Sequence, residues 1–248
     1  MRAVRGWTAG LLVIAACGRQ DFNEKDAGGS ADAALDALES RVVITNVVAP
    51  GHDTGLNTQI SAPIAMHDGR FLIVGAYMLL GTGTDTMIIS DDFGMNWVGT
   101  PIANSSCHSA QLKFWSIPTT RDAVDNILVT MTGDSDAQLG MFIIELDNVD
   151  GIDRTTSSSS MVSSATYSLD NLDVTGDGEH VLAMFATPGE MIGIDPVAPL
   201  HKLGDDDGFS VLLADQPASA GTVSPSAVRT TADSQCWAAI GVSLKPKI

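Results

Sequence analysis

The sequence predicts an all-β fold for residues 41–248, and more specifically a β-propeller of about four blades, each a four-stranded antiparallel sheet. Short runs rich in Val, Ile, Leu, Thr and Phe alternate with turns of Gly, Asp, Asn, Ser and Pro, and no long run has the period of a helix. Four apolar runs show this pattern, at residues 70–77, 126–131, 180–185 and 236–242. The polar turns before them recur about every 52 to 57 residues, a spacing typical of propeller blades.

The blades are predicted at residues 61–100, 110–154, 169–215 and 223–248, with residues 41–48 completing the last blade as its outer strand. The chain nevertheless holds material for fewer than four complete blades. Three explanations stay open: a truncated reading frame, an open arc that pairs with another subunit, or a two-sheet sandwich whose strands are grouped wrongly. An open arc would expose sheet edges, which proteins normally avoid.

One eight-residue motif, S-D-D-F-G-M-N-W at residues 90–97, supports a turn between two strands. We expect the Asp92 carboxylate to accept hydrogen bonds from N–H groups of its own turn, and Gly94 to adopt a positive φ. Trp97 is expected to fold back as an apolar plug, with Ser90 holding the incoming strand. Ser90, Asp92, Gly94 and Trp97 fit S-x-D-x-G-x-x-W, and the motif resembles the Asp-box of sialidase-like (BNR-repeat) β-propellers.

The resemblance implies a catalytic site that this chain does not match. Sialidases with this fold hold a substrate carboxylate with three arginines, the first in an R-I-P motif, and use a Tyr as the nucleophile. Ser61-Ala62-Pro63 stands at the matching place, and serine cannot replace the charge or the paired donors of a guanidinium. Only Tyr77 and Tyr167 could serve as the nucleophile.

The function predicted is therefore that of a non-catalytic binding or interaction module, with no catalytic residues assigned. Two alternatives stay open: a sialidase-like exo-glycosidase that hydrolyses glycans, and a structural subunit of an envelope complex. The expected partner is a protein or a glycan of unknown identity.

The first residues predict export and a lipid anchor. A basic start at residues 1–5 precedes an apolar run that is too short to span a bilayer as a helix. Ile14-Ala15-Ala16-Cys17 resembles a bacterial lipobox, in which the signal (residues 1–16) is cleaved and Cys17 is lipidated. Residues 17–40 then read as an acidic, flexible tether with little apolar surface to bury. Gly18 follows the cysteine, which favours the outer membrane.

Charge excludes one class of partner. The formal net charge is −17 with 13 Lys and Arg in the whole chain, so the basic surface that phosphate binding requires is lacking and no nucleic-acid partner is expected. Cys107 and Cys236 could form a disulfide in an exported protein, but they are distant in sequence and nothing local brings them together.

An acidic loop at residues 173–179 (D-V-T-G-D-G-E) is the candidate metal site. Oxygen-bearing side chains alternate along it and a glycine allows it to turn, as Ca²⁺ loops require. The candidate ligands are Asp173, Thr175, Asp177 and Glu179. An acidic hairpin turn is the alternative, and no cofactor other than Ca²⁺ is expected.

Overall fold

The computed structural model describes residues 41–247 except 82–84, 106–109, 134–135, 162–163, 189–192, 207–209 and 231–235. These residues form antiparallel sheets, none of them closed, and no helix. None of the described residues therefore forms a helix long and apolar enough to cross a membrane. The all-β prediction is confirmed.

The strands fall into two consecutive halves. The first half contains β1 (Val43–Gly55), β2 (Gln59–Met66), β3 (Phe71–Leu79), β4 (Thr86–Ser90), β5 (Val98–Gly99), β6 (Ala103–Asn104), β7 (Ala110–Pro118), β8 (Ala123–Thr132) and β9 (Ala137–Asp147). The second contains β10 (Val149–Ser160), β11 (Thr166–Ser168), β12 (Leu172–Val174), β13 (His180–Ala186), β14 (Ile194–Pro196), β15 (His201–Asp206), β16 (Val211–Pro217), β17 (Gly221–Val223), β18 (Ser226–Arg229) and β19 (Trp237–Pro246).

Both halves pair their strands in the same order. In the first half, a large sheet β1-β9-β3-β7, extended by β5 and β6, accompanies a small sheet β2-β8-β4. In the second half, the large sheet is β10-β19-β13-β16-β15, and the small layer consists of β11-β18-β14 with β12-β17. This alternation of strands between two sheets is that of a jelly roll. One strand in each half, β5 in the first and β15 in the second, pairs with the large sheet rather than with the small one.

Details of the backbone repeat as well. The pairing of β1 with β9 has a register shift between Ile44 and Asn46, and the pairing of β10 with β19 has one between Ile152 and Arg154. Immediately before β3, the Arg70 carbonyl accepts a 2.8 Å hydrogen bond from the N–H of Thr119. Immediately before β13, the Glu179 carbonyl accepts the equivalent 2.9 Å bond from Ala218. The chain is therefore a structural duplication.

The two halves stack as four layers, with the large sheets in the middle. One face of the β1-β9-β3-β7 sheet packs on its own small sheet through residues such as Val74, Ile127 and Leu139. The opposite face packs on the large sheet of the second half, where Phe114 and Ile240 belong to the same apolar cluster. The small sheets of each half form the outer layers.

This layering explains the sequence patterns. Every residue of β3 and of β13 is buried, because each strand lies in a middle layer and is covered on both faces. β2, in an outer layer, alternates strictly between exposed and buried residues. The continuous apolar runs at 70–77 and 180–185 thus mark the two interior sheets.

The four-bladed propeller is not confirmed. Within a blade, consecutive strands pair with each other, whereas here β2 pairs with β8, and β3 lies between β9 and β7. Residues 41–48 do not complete a C-terminal blade, because β1 pairs with β9 rather than with β19. The repeat is also longer than predicted: equivalent strands begin at Phe71 and His180, about 109 residues apart, twice the spacing of the polar turns.

Candidate functional site

A cleft between the two halves brings together polar side chains that are far apart in sequence. His52 of β1, Gly140 of β9 and Tyr77 of β3 are direct neighbours in one row of the first large sheet. Residues in one row share a face of the sheet, and the Tyr77 side chain lies on the face that packs against the second half. The second half contributes Asp206, at the end of β15.

The Asp206 carboxylate joins the two halves. Its Oδ2 atom lies 2.8 Å from Nδ1 of His52 and also accepts a hydrogen bond from the Tyr77 hydroxyl. The Asp206 side chain is 11% exposed and that of His52 is 34% exposed, so the carboxylate lies at the floor of the cleft and the imidazole at its rim. The cleft has a volume of about 390 Å³ and is otherwise lined by Ala49, Pro50, Gly51, Met141, Phe142 and Asp205.

Gly140 makes this arrangement sterically feasible. A Cβ atom at this position would collide with the hydroxyl and the ring of Tyr77, which crosses directly over β9. Phe142, two residues further along the same strand, packs against the Tyr77 ring with centroids 5.9 Å apart. Gly140 therefore leaves room for the Tyr77 ring and Phe142 packs against it, and together they position the phenol to reach Asp206.

The electrostatics keep the Tyr77 phenol neutral. Its burial, together with the hydrogen bond to Asp206 and the negative charge of that carboxylate, raises the pKa of Tyr77 far above its ordinary value. The phenol is thus a fixed hydrogen-bond donor. The cleft combines a carboxylate and an imidazole with an apolar wall, which is the composition of a small-ligand site.

A second cavity, of about 460 Å³, lies beside the first described residue and is lined by Arg41, Val42, Asp177, Gly178, Glu179, His180, Pro217, Ala218 and Ser219. His180 Nε2 lies 2.6 Å from Asp215 Oδ2 beside it. The candidate calcium loop forms part of this wall.

Two side chains of that loop contact each other, since the Thr175 hydroxyl donates to Glu179 Oε1 at 2.9 Å, whereas those of Asp173 and Asp177 have other partners. Glu179 Oε1 accepts hydrogen bonds from the backbone N–H groups of Thr175 and Gly176, at 3.0 and 2.7 Å, and so closes its own turn. Asp173 accepts from the Thr222 hydroxyl, and Asp177 accepts from the N–H of Ala220. Among the described residues, no three His, Cys, Asp or Glu side chains form a group that could hold a metal ion.

The Asp-box segment forms a turn, but Asp91 rather than Asp92 closes it. The Asp91 carboxylate accepts hydrogen bonds from the N–H of Phe93 at 2.8 Å, from the N–H of Met95 at 3.1 Å and from Trp97 Nε1 at 2.6 Å. The Asp92 side chain is exposed, and its N–H donates to Asp125.

The backbone at Gly94 and the position of Trp97 fit the turn that the sequence predicted, whereas the strands that the turn joins do not. Gly94 has a φ of 65°, as predicted, and Trp97 is half-buried against the first-half core. Ser90 ends β4 and is exposed. The turn joins β4 of the small sheet to β5 of the large sheet, whereas an Asp-box joins adjacent strands of one blade.

The arginines that could hold a carboxylate each have a separate environment. Arg70 Nη1 donates to Glu145 at 2.6 Å, the Arg121 guanidinium lies over the Phe93 ring, and Arg154 is within 3.9 Å of Asp153. The fourth, Arg229, lies over the Tyr167 ring in the second half.

The second candidate nucleophile is buried as well. Tyr167 is fully buried in the second half. Its burial raises its pKa, although the nearby Thr187 and the charge of Arg229 oppose the rise. Like Tyr77, it is therefore held as a neutral phenol.

The cysteines are only partly described. Cys17 and Cys107 lie outside the described residues. Cys236 is disulfide-bonded. The pairing of Cys107 with Cys236 and the lipidation of Cys17 remain predictions.

Sequence reasoning missed the cleft. His52 and Asp206 are separated by 154 positions and come from different halves, so no local spacing links them. One signal was available: Gly140 opens an otherwise continuous apolar run, and a glycine within a strand indicates the close approach of another group.

Comparisons with known proteins place no constraint on this site. No family model, no curated protein and no solved structure matches the chain.

Proposed function

We propose that this chain is an envelope-anchored lipoprotein whose duplicated β-domain is a non-catalytic binding module, with the cleft between the halves as its ligand site. The observation that carries the proposal is the convergence of His52 and Tyr77 on the Asp206 carboxylate at the floor of a 390 Å³ cleft. Cavities of this size accommodate small ligands or single residues of a polymer.

The chemistry of the cleft favours a neutral, polyhydroxylated ligand such as a glycan. The Asp206 carboxylate can accept hydrogen bonds from hydroxyl groups beyond those it already receives, and an anionic ligand would be repelled by it. Ala49 and Pro50, both exposed, offer apolar surface to the C–H groups of a sugar ring.

The tyrosines favour binding over hydrolysis through their pKa values. A phenol acts as a nucleophile when its pKa is depressed or when an adjacent base accepts its proton. Tyr77 and Tyr167 are both buried and have raised pKa values. The Asp206 carboxylate next to Tyr77 could accept a proton, so Tyr77 is the position at which hydrolysis is tested. No observation favours the exo-glycosidase or the structural subunit over the binding module, and the sialidase-like resemblance enters only through the turn at residues 90–97.

Two observations support export of the protein. The lipobox-like segment ends at Cys17, and Cys236 is disulfide-bonded, as is common in oxidising compartments outside the cytosol. In the proposal, lipidation of Cys17 anchors the chain to the outer membrane and residues 17–40 tether the domain.

Substitution of the lipidated cysteine tests the anchor. We expect Cys17→Ser to move the protein from the membrane fraction to the soluble fraction of cells, because the lipid would be its membrane attachment. Ser40→Ala, in the tether, is the control and should stay in the membrane fraction. Unchanged membrane retention of Cys17→Ser would contradict the anchor.

Binding and turnover can be measured side by side on the full chain in detergent. We expect retention of neutral oligosaccharides on a glycan array and no release of fluorophore from fluorogenic glycosides. Turnover that Tyr77→Phe abolishes would establish the exo-glycosidase instead.

A further inference from the structure

A partly exposed arginine in the second half has two buried donor atoms without partners. Arg229 of β18 pairs directly with Ile194 of β14, and it follows Ala227 by two positions. Both neighbours are buried, so the Arg229 side chain starts on the inner face of the outer sheet, although the residue as a whole is partly exposed. Its Nε and Nη1 atoms are buried and have no hydrogen-bond partner.

A second donor without a partner belongs to an indole that packs on the same tyrosine as Arg229. Trp237, the first residue of β19, is 6% exposed, and its Nε1 atom is buried without a partner. The Tyr167 ring packs against both groups: its centroid is 5.2 Å from that of Trp237 and 6.0 Å from Cζ of Arg229. Among the described residues, no carboxylate forms an ion pair with Arg229.

These groups need an acceptor. A buried donor without a partner destabilises the folded state, and the penalty is larger when the donor is charged. Guanidinium and indole N–H groups can only donate, so the missing partner must be an acceptor. A negatively charged acceptor would also compensate the positive charge of Arg229.

We propose that Arg229 and Trp237, which both pack on Tyr167, form a binding site for an oxyanion: a carboxylate, sulfate or phosphate group. The site is built entirely from β11, β18 and β19 of the second half and shares no residue with the cleft at Asp206. It therefore stands independently of the proposed glycan site.

The test is an NMR titration of the ¹⁵N-labelled full chain, in detergent, with sodium acetate, sulfate or phosphate. Chloride at matched ionic strength is the reference, and Trp237→Phe assigns the Trp237 indole resonance. We expect a saturable shift of that resonance with at least one oxyanion, and the three salts distinguish a carboxylate from a sulfate or phosphate ligand. Arg229→Met should raise the apparent Kd about tenfold or more, whereas Arg154→Met, an exposed arginine, should leave it unchanged.

Two outcomes would overturn the proposal. One is the absence of a saturable shift with all three salts up to about 100 mM, a range that covers millimolar affinity. The other is that the acceptor belongs to the chain itself: the indole resonance would then be insensitive to the salts and would move in Glu190→Gln or Asp233→Asn. The Arg229→Lys variant keeps the charge, so weakened anion binding in Arg229→Lys with an unchanged fold supports the site even if Arg229→Met fails to fold.

Discussion

Glu145, a buried carboxylate on β9, connects three segments of the first half. It accepts hydrogen bonds from Thr45 Oγ1 at 3.0 Å, from the backbone N–H of His67 at 3.1 Å and from Arg70 Nη1 at 2.6 Å, and the His67 ring lies 2.8 Å away. Burial alone would raise the pKa of Glu145, but these hydrogen bonds and the charge of Arg70 outweigh it and lower that pKa. The ionised carboxylate therefore stabilises the fold.

The sign of this pKa shift predicts an acid-sensitive contribution. Stabilisation by Glu145 is present above the ordinary glutamate pKa of about 4.3 and is lost as the pH falls through the lowered pKa of the folded state. We expect Glu145→Gln to reduce the free energy of unfolding by about 3 kcal/mol at pH 7, because Arg70 loses its partner. The difference should shrink in acid, measured by urea unfolding at several pH values. Asp147→Asn, exposed on the same strand, is the control; a pH-independent difference would contradict the account.

The turn at residues 90–97 allows two neighbouring carboxylates to be compared. Asp91 accepts three hydrogen bonds within the turn, whereas the Asp92 side chain is exposed. We expect Asp91→Ala to cost about 1–2 kcal/mol of unfolding free energy and Asp92→Ala less than about 0.5 kcal/mol, measured from urea midpoints. The reverse order would show that Asp92 closes the turn, as the Asp-box resemblance implied.

At the scale of the strands, the contact between β9 and Tyr77 depends on the absence of a side chain at Gly140. We expect Gly140→Ala to cost about 1–3 kcal/mol, because the new methyl group displaces the phenol. Gly151→Ala, whose added methyl group would contact nothing within 4 Å, is the control. In a Tyr77→Ala background the cost of Gly140→Ala should largely vanish. An equal cost in both backgrounds would mean that the strain lies in β9 itself.

Individual strands were predictable, and their partners were not. The apolar runs at 126–131 and 236–242 lie within β8 and β19, as expected from their composition and flanking turns. Pairing, however, joins segments that are distant in sequence, such as β2 with β8, and the alternation of side chains does not specify the partner strand. Only the contrast between the fully apolar β3 and the alternating β2 indicated which sheets are interior.

At the scale of the whole molecule, the chain places two similar units, of nine and ten strands, face to face. Each unit contains two polar turns that precede apolar strands, so these turns recur at half the spacing of the units. A propeller blade has that same spacing, which is why the sequence predicted blades. The cleft exists only once the units are stacked, since β1 and β15 come from different halves. No local motif could therefore have predicted it.

The central claim is that the cleft binds a glycan without hydrolysing it, and binding by matched variants tests this most directly. We compare retention on a neutral-oligosaccharide array of the wild-type chain, Asp206→Asn, and Asp53→Asn, the last removing an exposed carboxylate on β1 next to His52. We predict that Asp206→Asn loses about tenfold in affinity while Asp53→Asn matches the wild type. Equal retention by Asp206→Asn and the wild type, or no retention of any glycan by the wild type, would contradict the account.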